Sequence, residues 1–356
     1  MKQNIVKIIK SSCIGNKLYW HYRLKRDLKI VFKTFGITGD LNAEFKKIKE
    51  ANKLYGWLPD EYYLYHYDSL SYEERKSFIC EMEHVIIADF LNNDIAREIL
   101  SDKWNTYKNF NRFFQRKAIC ITPSRRDWVG LYNLFDLCGK LIIKPLEGSF
   151  GKGIQIVKNI ADKETLKKRL NNEYPKGFIA EEVVIQDPRM AVLHAESVNT
   201  LRIHTICFDG DVTIFHPYIR IGRGASVVDN AGSGGVFTSC NPKSGEVLSV
   251  VDELGNNYLN HPDTGFPLIG FKVPCWDEAY QTANRLALCN PDIHYAGWDL
   301  ALTSNGWVLI EGNPRAQFLF QISEQKGFRQ ELYHILEKYG KKYVSKFEKE
   351  QALFDI

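Results

Sequence analysis

Lys144-Pro145-Leu146-Glu147-Gly148-Ser149-Phe150-Gly151-Lys152-Gly153-Ile154 is entered from the apolar run Leu141-Ile142-Ile143 and left through Ile154-Gln155-Ile156-Val157. The pattern reads as strand, glycine-rich loop, strand. Small residues let backbone N–H groups wrap an anionic group, and Lys144 and Lys152 add positive charge. A loop of this kind is expected to close over a nucleotide triphosphate. It is not a Walker A loop, because Gly148 is not followed by Gly-Lys-Ser/Thr at the required spacing.

The rest of such a site is expected in Gly297-Trp298-Asp299-Leu300-Ala301-Leu302-Thr303-Ser304-Asn305-Gly306-Trp307-Val308-Leu309-Ile310-Glu311-Gly312-Asn313-Pro314. With Ser304-Asn305-Gly306 as a three-residue hairpin loop and Gly306 left-handed, Thr303 opposes Trp307. Counting outward then sets Asp299 opposite Glu311. Opposed residues share one face of a sheet, and Asn313, two beyond Glu311, shares it too. Like charges in that arrangement are destabilising unless a cation neutralises them. Mg²⁺ takes a few carboxylate or amide oxygens together with phosphate oxygens. Asp299, Glu311 and Asn313 are therefore the candidate ligands of one or two Mg²⁺ ions. The plainer reading is a solvent-facing hairpin that meets no metal, and the apolar residues around both acids argue against it.

The 356-residue chain is long enough for two or three domains. Hydrophobic residues make up 44% and charged residues 25%, which argues against disorder. Net charge is only +4, and the seven tryptophans do not interleave with a basic patch, so no nucleic acid partner is expected. The eight cysteines form no Cys-x-x-Cys pair. They read as reduced core thiols, which implies a cytoplasmic location. No apolar run approaches the ~18 residues that span a bilayer, and Met1 to Lys10 does not read as a signal peptide. Ile30-Val31-Phe32-Lys33-Thr34-Phe35 lies among Arg23, Lys25, Arg26, Lys29 and Lys33. This segment reads either as a basic amphipathic helix packed on its own protein or as a surface that touches an anionic membrane.

Residues 1–100 are expected as a mainly helical N-terminal region. Residues 101–185 read as a lid subdomain with the glycine loop, 186–325 as a second subdomain with the metal site, and 326–356 as a C-terminal helix. In the first region Asn42 is the expected cap of a helix through Leu54, Ser71 and Glu74 form a capping box, and a third helix runs from His84 to Leu100. Further on, strands are expected at 118–121, 141–144, 153–158, 178–184, 201–208, 212–221, 298–303 and 307–311. Helices are expected at 103–116, 128–137, 162–172, 277–289 and 325–348. Asp209-Gly210 signals a hairpin turn. No regular βαβ rhythm is present, so the fold class is α+β with antiparallel sheets. His204, His216, His261 and His294 show no metal-ligand spacing and are read as structural.

In order and spacing these segments resemble the ATP-grasp superfamily over about residues 100–320. Within it, the chain is similar to the sugar-transfer-associated ATP-grasp family, found among capsule and surface-polysaccharide genes. The residues that carry the likeness are Ser101-Asp102-Lys103, Ile143-Lys144-Pro145, Gly148-Ser149-x-Gly151-x-Gly153-Ile154, Ile179-Ala180-Glu181-Glu182-Val183-Val184, Ser197-Val198-Asn199-Thr200-Leu201-Arg202 and Tyr218-Ile219-Arg220-Ile221-Gly222. Asp229-Asn230 with Gly234-Gly235, and Gly297-Trp298-Asp299 through Glu311-Gly312-Asn313, complete the set.

The resemblance implies two α+β subdomains that clamp ATP. It implies that Lys103 and Lys144 contact the ATP phosphates beneath a closing loop of Gly148, Ser149, Gly151 and Gly153. Val183 and Val184 would pair with the adenine edge, Glu181 or Glu182 would accept from its amino group, and Glu196 is a candidate for the ribose. Arg202 and Arg220, with Lys144, would steady the transferring phosphate, a task suited to the bidentate fork of arginine. Asn230, Gly234 and Gly235 would lie between substrate and phosphates, and Arg223 and Arg315 would recognise substrate. The implied cofactors are ATP and Mg²⁺. The implied reaction is ligation of a carboxylate to an amine through an acyl phosphate, with a sugar acid or amino acid as one partner and an amide-bearing glycan precursor as product. A kinase acting on a sugar hydroxyl, and a non-catalytic nucleotide-binding partner of a glycosyltransferase complex, are the alternatives.

Overall fold

A computed structural model describes residues 13–148, 151–158, 162–224, 226, 229, 234–345 and 347. The chain begins with helices α1 (Cys13–Thr34), α2 (Leu41–Tyr55), α3 (Pro59–Leu64), α4 (Tyr72–Ser77), α5 (Glu81–Leu91), α6 (Asp94–Ser101) and α7 (Lys103–Phe114). Then follow β1 (Ala118–Ile121), α8 (Trp128–Cys138), β2 (Lys140–Pro145), β3 (Gln155–Lys158), α9 (Lys163–Glu173), β4 (Phe178–Glu182) and α10 (Pro188–Ala191). The last part holds β5 (Thr200–Phe208), β6 (Asp211–Ile221), β7 (Val236–Cys240), β8 (Val247–Asp252), α11 (Trp276–Ala287), β9 (Tyr295–Thr303), β10 (Gly306–Asn313), α12 (Phe320–Glu324) and α13 (Arg329–Lys338). Two compact units result, Met1–Ile87 with Gln317–Ile356, and Ala88–Ala316.

In the first unit α2 follows its apolar stripe, with Phe45, Ile48, Ala51, Asn52 and Tyr55 buried. Its cap is Asp40 rather than Asn42. The Asp40 carboxylate accepts from the Asn42 N–H at 2.9 Å, which makes Asn42 a first-turn residue. The capping box of Ser71 and Glu74 forms as expected. Trp57, Tyr62, Tyr65, Tyr67 and Phe78 make an aromatic core. The C-terminal segment is stitched to residues 76–83. Gln321 exchanges two hydrogen bonds with the Ile79 backbone, and Arg329 donates to the Lys76 and Phe78 carbonyls and to the buried Glu83 carboxylate. One helix over 325–348 was expected. The chain breaks at its start instead: α12 lies before it and ends where Gln325 takes a left-handed φ of 49°, Gly327 packs so closely that a Cβ would lie 2.1 Å from the Ser77 hydroxyl oxygen, and within the expected span only α13 forms among the described residues.

The expected helix from His84 to Leu100 is two helices. Between them Asn92 acts as a strand mimic. Its side-chain oxygen accepts from the His294 and Tyr295 N–H groups, and its amide donates to the Tyr295 carbonyl at 2.7 Å. Asn93 then caps α6.

The second unit contains two antiparallel sheets. The smaller has the order β1-β4-β2-β3. Its strands alternate strictly: Leu141, Ile143, Val157, Phe178 and Ala180 pack on Trp128, Leu131 and Phe135 of α8 and on Leu166 and Leu170 of α9. The larger has the order β10-β9-β5-β6-β7-β8. Leu201, Ile203, Ile219, Ile221, Trp298 and Leu300 point from it into a core shared with Phe110 of α7 and Ala279, Ala283 and Leu286 of α11. Asp209 and Gly210 both have positive φ and close the β5–β6 hairpin as a two-residue turn. β7 and β8 were not expected. All five residues of β7 are buried, so its sequence carries no period-two signal.

The β9–β10 hairpin sets Asp299 opposite Glu311, as expected, by a different route. Its loop has two residues, Ser304 and Asn305, so Gly306 pairs with Thr303 and Trp307 with Leu302. A β-bulge between Leu309 and Glu311 inserts Ile310 as an extra residue and restores the acidic pair.

Candidate active site

A cavity of about 400 Å³ in the second unit is lined by the outward faces of both sheets. The alternation that sends Leu141 and Ile143 into the small core turns Lys140, Ile142 and Lys144 of β2 toward the cavity, with Ile156 and Lys158 of β3 and Glu181 of β4. Glu182 at the end of β4 and the segment after it, Val183 to Gln186, form one edge, and Gly148, Gly151, Lys152 and Ile154 form another. The large sheet contributes Thr200, Arg220, Asp299, Ile310 and Glu311. Because Ile310 is the bulged residue, it and its neighbour Glu311 both face the cavity, which a regular strand forbids.

Two buried charge clusters organise these walls. In the first, Glu181, 1% exposed, receives Lys144 Nζ at 3.1 Å and Arg116 Nε at 2.7 Å. Arg116 also donates to the Leu309 carbonyl of β10 at 2.6 Å, so one guanidinium joins the small sheet to the large one. Burial would raise the Glu181 pKa, but Arg116 and Lys144 outweigh it and hold the carboxylate below its usual range. Burial pushes the Lys144 ammonium below the ordinary lysine value against the pull of Glu181. The Glu182 carboxylate turns elsewhere, accepting from the Lys117 N–H at 2.9 Å and the Cys138 thiol at 3.3 Å.

In the second cluster Arg202 and Asp299 are directly opposed on β5 and β9. Arg202 grips the Asp299 carboxylate with two nitrogens, and Arg220 Nη1 reaches the same carboxylate at 2.8 Å. Arg220 Nη2 donates to Asp229 at 3.0 Å, and Asp229 also accepts from the Thr200 N–H and hydroxyl. The close approach of Arg202 depends on Gly297, where a Cβ would lie 2.2 Å from the Ala316 Cβ and 3.1 Å from the Arg202 Cδ. Burial opposes the charge on Asp299, yet the two arginines bring its pKa down to about 2. Glu311 shows the reverse. It is half-buried, and burial with the neighbouring Asp299 charge raises its pKa. Among the described residues no cation lies within ion-pair distance of its carboxylate; its side-chain partner is Asn313 Nδ2 at 3.4 Å.

The expectation that something must neutralise the opposed acids is thus met on one side by arginines of the chain itself. On the other side Glu311 has no ion-pair partner among the described residues, and Lys103, Arg220 and Arg202 only partly offset the burial and the Asp299 charge that raise its pKa. Among the described residues no group of three His, Cys, Asp or Glu side chains is arranged around a metal. The donor set here is two carboxylates and one amide, all hard oxygen ligands, and it fits Mg²⁺. The cavity fits a nucleotide. Ile142, Ile154, Ile156, Val184, Ile185 and Ile310 offer apolar walls, and Lys103, Lys144, Lys152 and Arg220 offer positive charge.

Most residues expected at the site from the sequence do meet there. Lys103, Lys144, Gly148, Gly151, Glu181, Glu182, Val183, Val184, Glu196, Arg220, Asp299 and Glu311 line the cavity. Lys103 Nζ donates to the Gly148 carbonyl at 3.0 Å and so tethers the start of the glycine loop. Arg202 and Asn313 stand one contact back, on Asp299 and Glu311. Gly153, Gly234 and Gly235 are not among the lining residues. Arg223 is paired with Asp263, and Arg315 forms a two-pronged pair with Asp89 beside a separate cleft with Arg97, Ser101 and Glu147. Ser149 and Asn230 lie outside the described residues. His261 and His294 bind backbone groups, in keeping with a structural reading. Arg116 had no sequence signal, since it follows α7 without a motif and its partners are 65 and 193 residues away. Asp229 was visible beside Asn230 but had no role until its two partners were placed.

The sequence profile of proteins described as sugar-transfer associated ATP-grasp matches residues 90–337. No curated protein matches. Among solved structures the chain is similar to an N5-carboxyaminoimidazole synthetase from Staphylococcus aureus complexed with ADP, at 12% identity over 76% of this chain and 60% of that one, with a TM-score of 0.44. It is also similar to a D-alanine–D-alanine ligase from Bacillus anthracis, at 13% identity, 65% and 64% coverage and a TM-score of 0.36. A third is the ADP complex of an N5-carboxyaminoimidazole ribonucleotide synthetase, at 11% identity, 62% and 46% coverage and a TM-score of 0.39. The chain spans about half to two-thirds of the length of these structures. ATP with Mg²⁺ is the general cofactor pair of ATP-grasp proteins. The match covers more than half of the sequence, and the chain belongs to the sugar-transfer associated ATP-grasp family.

Proposed function

We propose that the protein is an ATP-dependent ligase that joins a carboxylate to an amine, with a sugar acid or an amino acid as one substrate and a role in surface-polysaccharide assembly in the cytoplasm. One observation carries the reading: Glu311, an acid without an ion-pair partner among the described residues, faces the same cavity as Lys103, Lys144 and the glycine loop. The family description supports the sugar context. ATP with Mg²⁺ supplies the phosphoryl group that turns the substrate carboxylate into an acyl phosphate, from which the amine displaces orthophosphate to leave an amide.

Asp299 and Glu311, with Asn313 beside Glu311, would hold the metal. Arg202 keeps the Asp299 carboxylate ionised and fixes its orientation. Lys103 and Lys144 bind phosphate oxygens, and Glu181 and Arg116 hold Lys144 in place. Arg220, anchored by Asp229, presents positive charge to the transferring group at a site already shielded from water. The isoleucine walls and Val184 enclose the base and exclude solvent, which protects a hydrolysable intermediate. Val183 and Val184 offer backbone groups to the adenine edge, and Glu196 reaches the ribose.

The test is incubation with ATP, Mg²⁺ and a panel of sugar acids, amino acids and amines, reading ADP and product mass. The expected product is a condensation of two substrates with loss of water. A gain of phosphate without condensation identifies a kinase, and nucleotide binding without turnover on any acceptor identifies a non-catalytic partner. Full activity in the Asp299→Ala/Glu311→Ala double variant rules out this metal site.

A further inference from the structure

We propose that the outward face of α1 docks the protein on an anionic lipid surface. Leu24, Leu28 and Val31 form the buried stripe of this helix. Tyr22, Arg26, Lys29, Ile30 and Lys33, spaced four, three, one and three residues apart, share the opposite face. Tyr22 is 67% exposed and Ile30 is 56% exposed, so an aromatic ring and an aliphatic side chain stand in water among cations. Arg26 shares Asp27 with Arg23. Lys29 and Lys33 have no ion-pair partner among the described residues.

Charge along the chain points the same way. Residues 1–39 hold nine lysines and arginines and one aspartate, a balance of +8, whereas the whole chain carries +4, so residues 40–356 sum to −4. Residues 1–12 add Lys2, Lys7 and Lys10 and the aliphatics Ile5, Val6, Ile8 and Ile9 to that segment, with no acid. A concentrated basic charge demands an anionic partner. The aliphatics select among anionic partners: Ile30 between Lys29 and Lys33 gains from burial at the boundary of headgroups and acyl chains and gains nothing along a phosphate backbone. The face therefore fits acidic phospholipid headgroups rather than nucleic acid.

The experiment is flotation of the full chain with vesicles of phosphatidylcholine alone and of phosphatidylcholine mixed with phosphatidylserine. Binding is expected only to the mixed vesicles and is expected to weaken as salt rises. Each neutralised cation near such a surface lowers the partition about fivefold, so Arg26→Gln, Lys29→Gln and Lys33→Gln together lower it about a hundredfold. Ile30→Asn weakens binding at unchanged charge. All four positions are exposed, and an unchanged circular dichroism spectrum confirms that the variants fold. No binding by the parent chain, equal binding to both vesicle types, parental binding by the triple variant, or tighter binding to an oligonucleotide than to mixed vesicles overturns the proposal.

Discussion

Replacing Arg116 by leucine removes the guanidinium that holds Glu181 and reaches Leu309, while leaving an apolar stem of similar length. Arg116 is 9% exposed and Glu181 is 1% exposed, so the carboxylate is left in a dry site with Lys144 as its remaining counter-charge. Breaking a buried pair from one side costs about 3–5 kcal/mol, because the other charge stays desolvated. In a unit of this size each kcal/mol moves the melting temperature by about 2–4 °C, so the expected fall is about 10 °C. The control is Arg189→Leu, whose bond to Asp187, at 2.9 Å, is also within ordinary hydrogen-bond length but is made by a half-exposed side chain. Surface pairs of that kind contribute less than about 1 kcal/mol, and the expected shift is below about 4 °C. Arg116→Lys keeps the charge and loses the second arm, and it should fall between the two. Thermal unfolding of the full chain by circular dichroism measures all three. If Arg116→Leu melts no lower than Arg189→Leu, burial does not set the worth of these pairs and the account of the Glu181 cluster is wrong.

Three further outcomes follow from the geometry. Lys103→Met should raise the KM for ATP about tenfold to a hundredfold, the worth of one charge-assisted contact, with the melting temperature little changed; an unchanged KM in steady-state assays removes Lys103 from the nucleotide site. Gly297→Ala places a methyl group 2.2 Å from the Ala316 Cβ and should destabilise the protein by about 1–3 kcal/mol in urea unfolding; a neutral effect shows that β9 can shift away. Glu61, buried and beside Asp60, has a pKa raised well above the ordinary glutamate value. The folded form therefore gives up this proton at a higher pH than the unfolded chain, which loses it near about pH 4.5. Stability from this group is present at low pH and declines as pH rises from there through the folded pKa. Glu61→Gln should flatten that decline in urea titrations carried upward from about pH 4.5, and an unaltered slope refutes the assignment.

What was legible in the sequence was local. The glycine loop announced itself by its neighbours Leu141-Ile142-Ile143 and Ile154-Gln155-Ile156, and the β9–β10 acids by counting within one hairpin, where one residue too many in the loop cancelled the unforeseen bulge at Ile310. Both rest on short-range rules, the permissive backbone of glycine and the two-residue period of a strand. The hidden parts were those decided by distant partners. Arg116 is positioned by a carboxylate and a carbonyl far along the chain, and Asn92 ends α5 because β9 offers it three backbone groups. β7 escaped because complete burial erases alternation. The neutralisation of Asp299 by Arg202 could be read only once β5 and β9 were known to be neighbours in the larger sheet.

The extra residue at Ile310 makes the tip of the last hairpin independent of its base. A chain that gained one residue in the Ser304-Asn305 turn and lost Ile310 would still bring the same two carboxyl groups face to face, but it would forfeit an oily patch beside them. Changes in length at the tip can thus accumulate without parting the two carboxyl groups, because the strands below the turn keep their pairing.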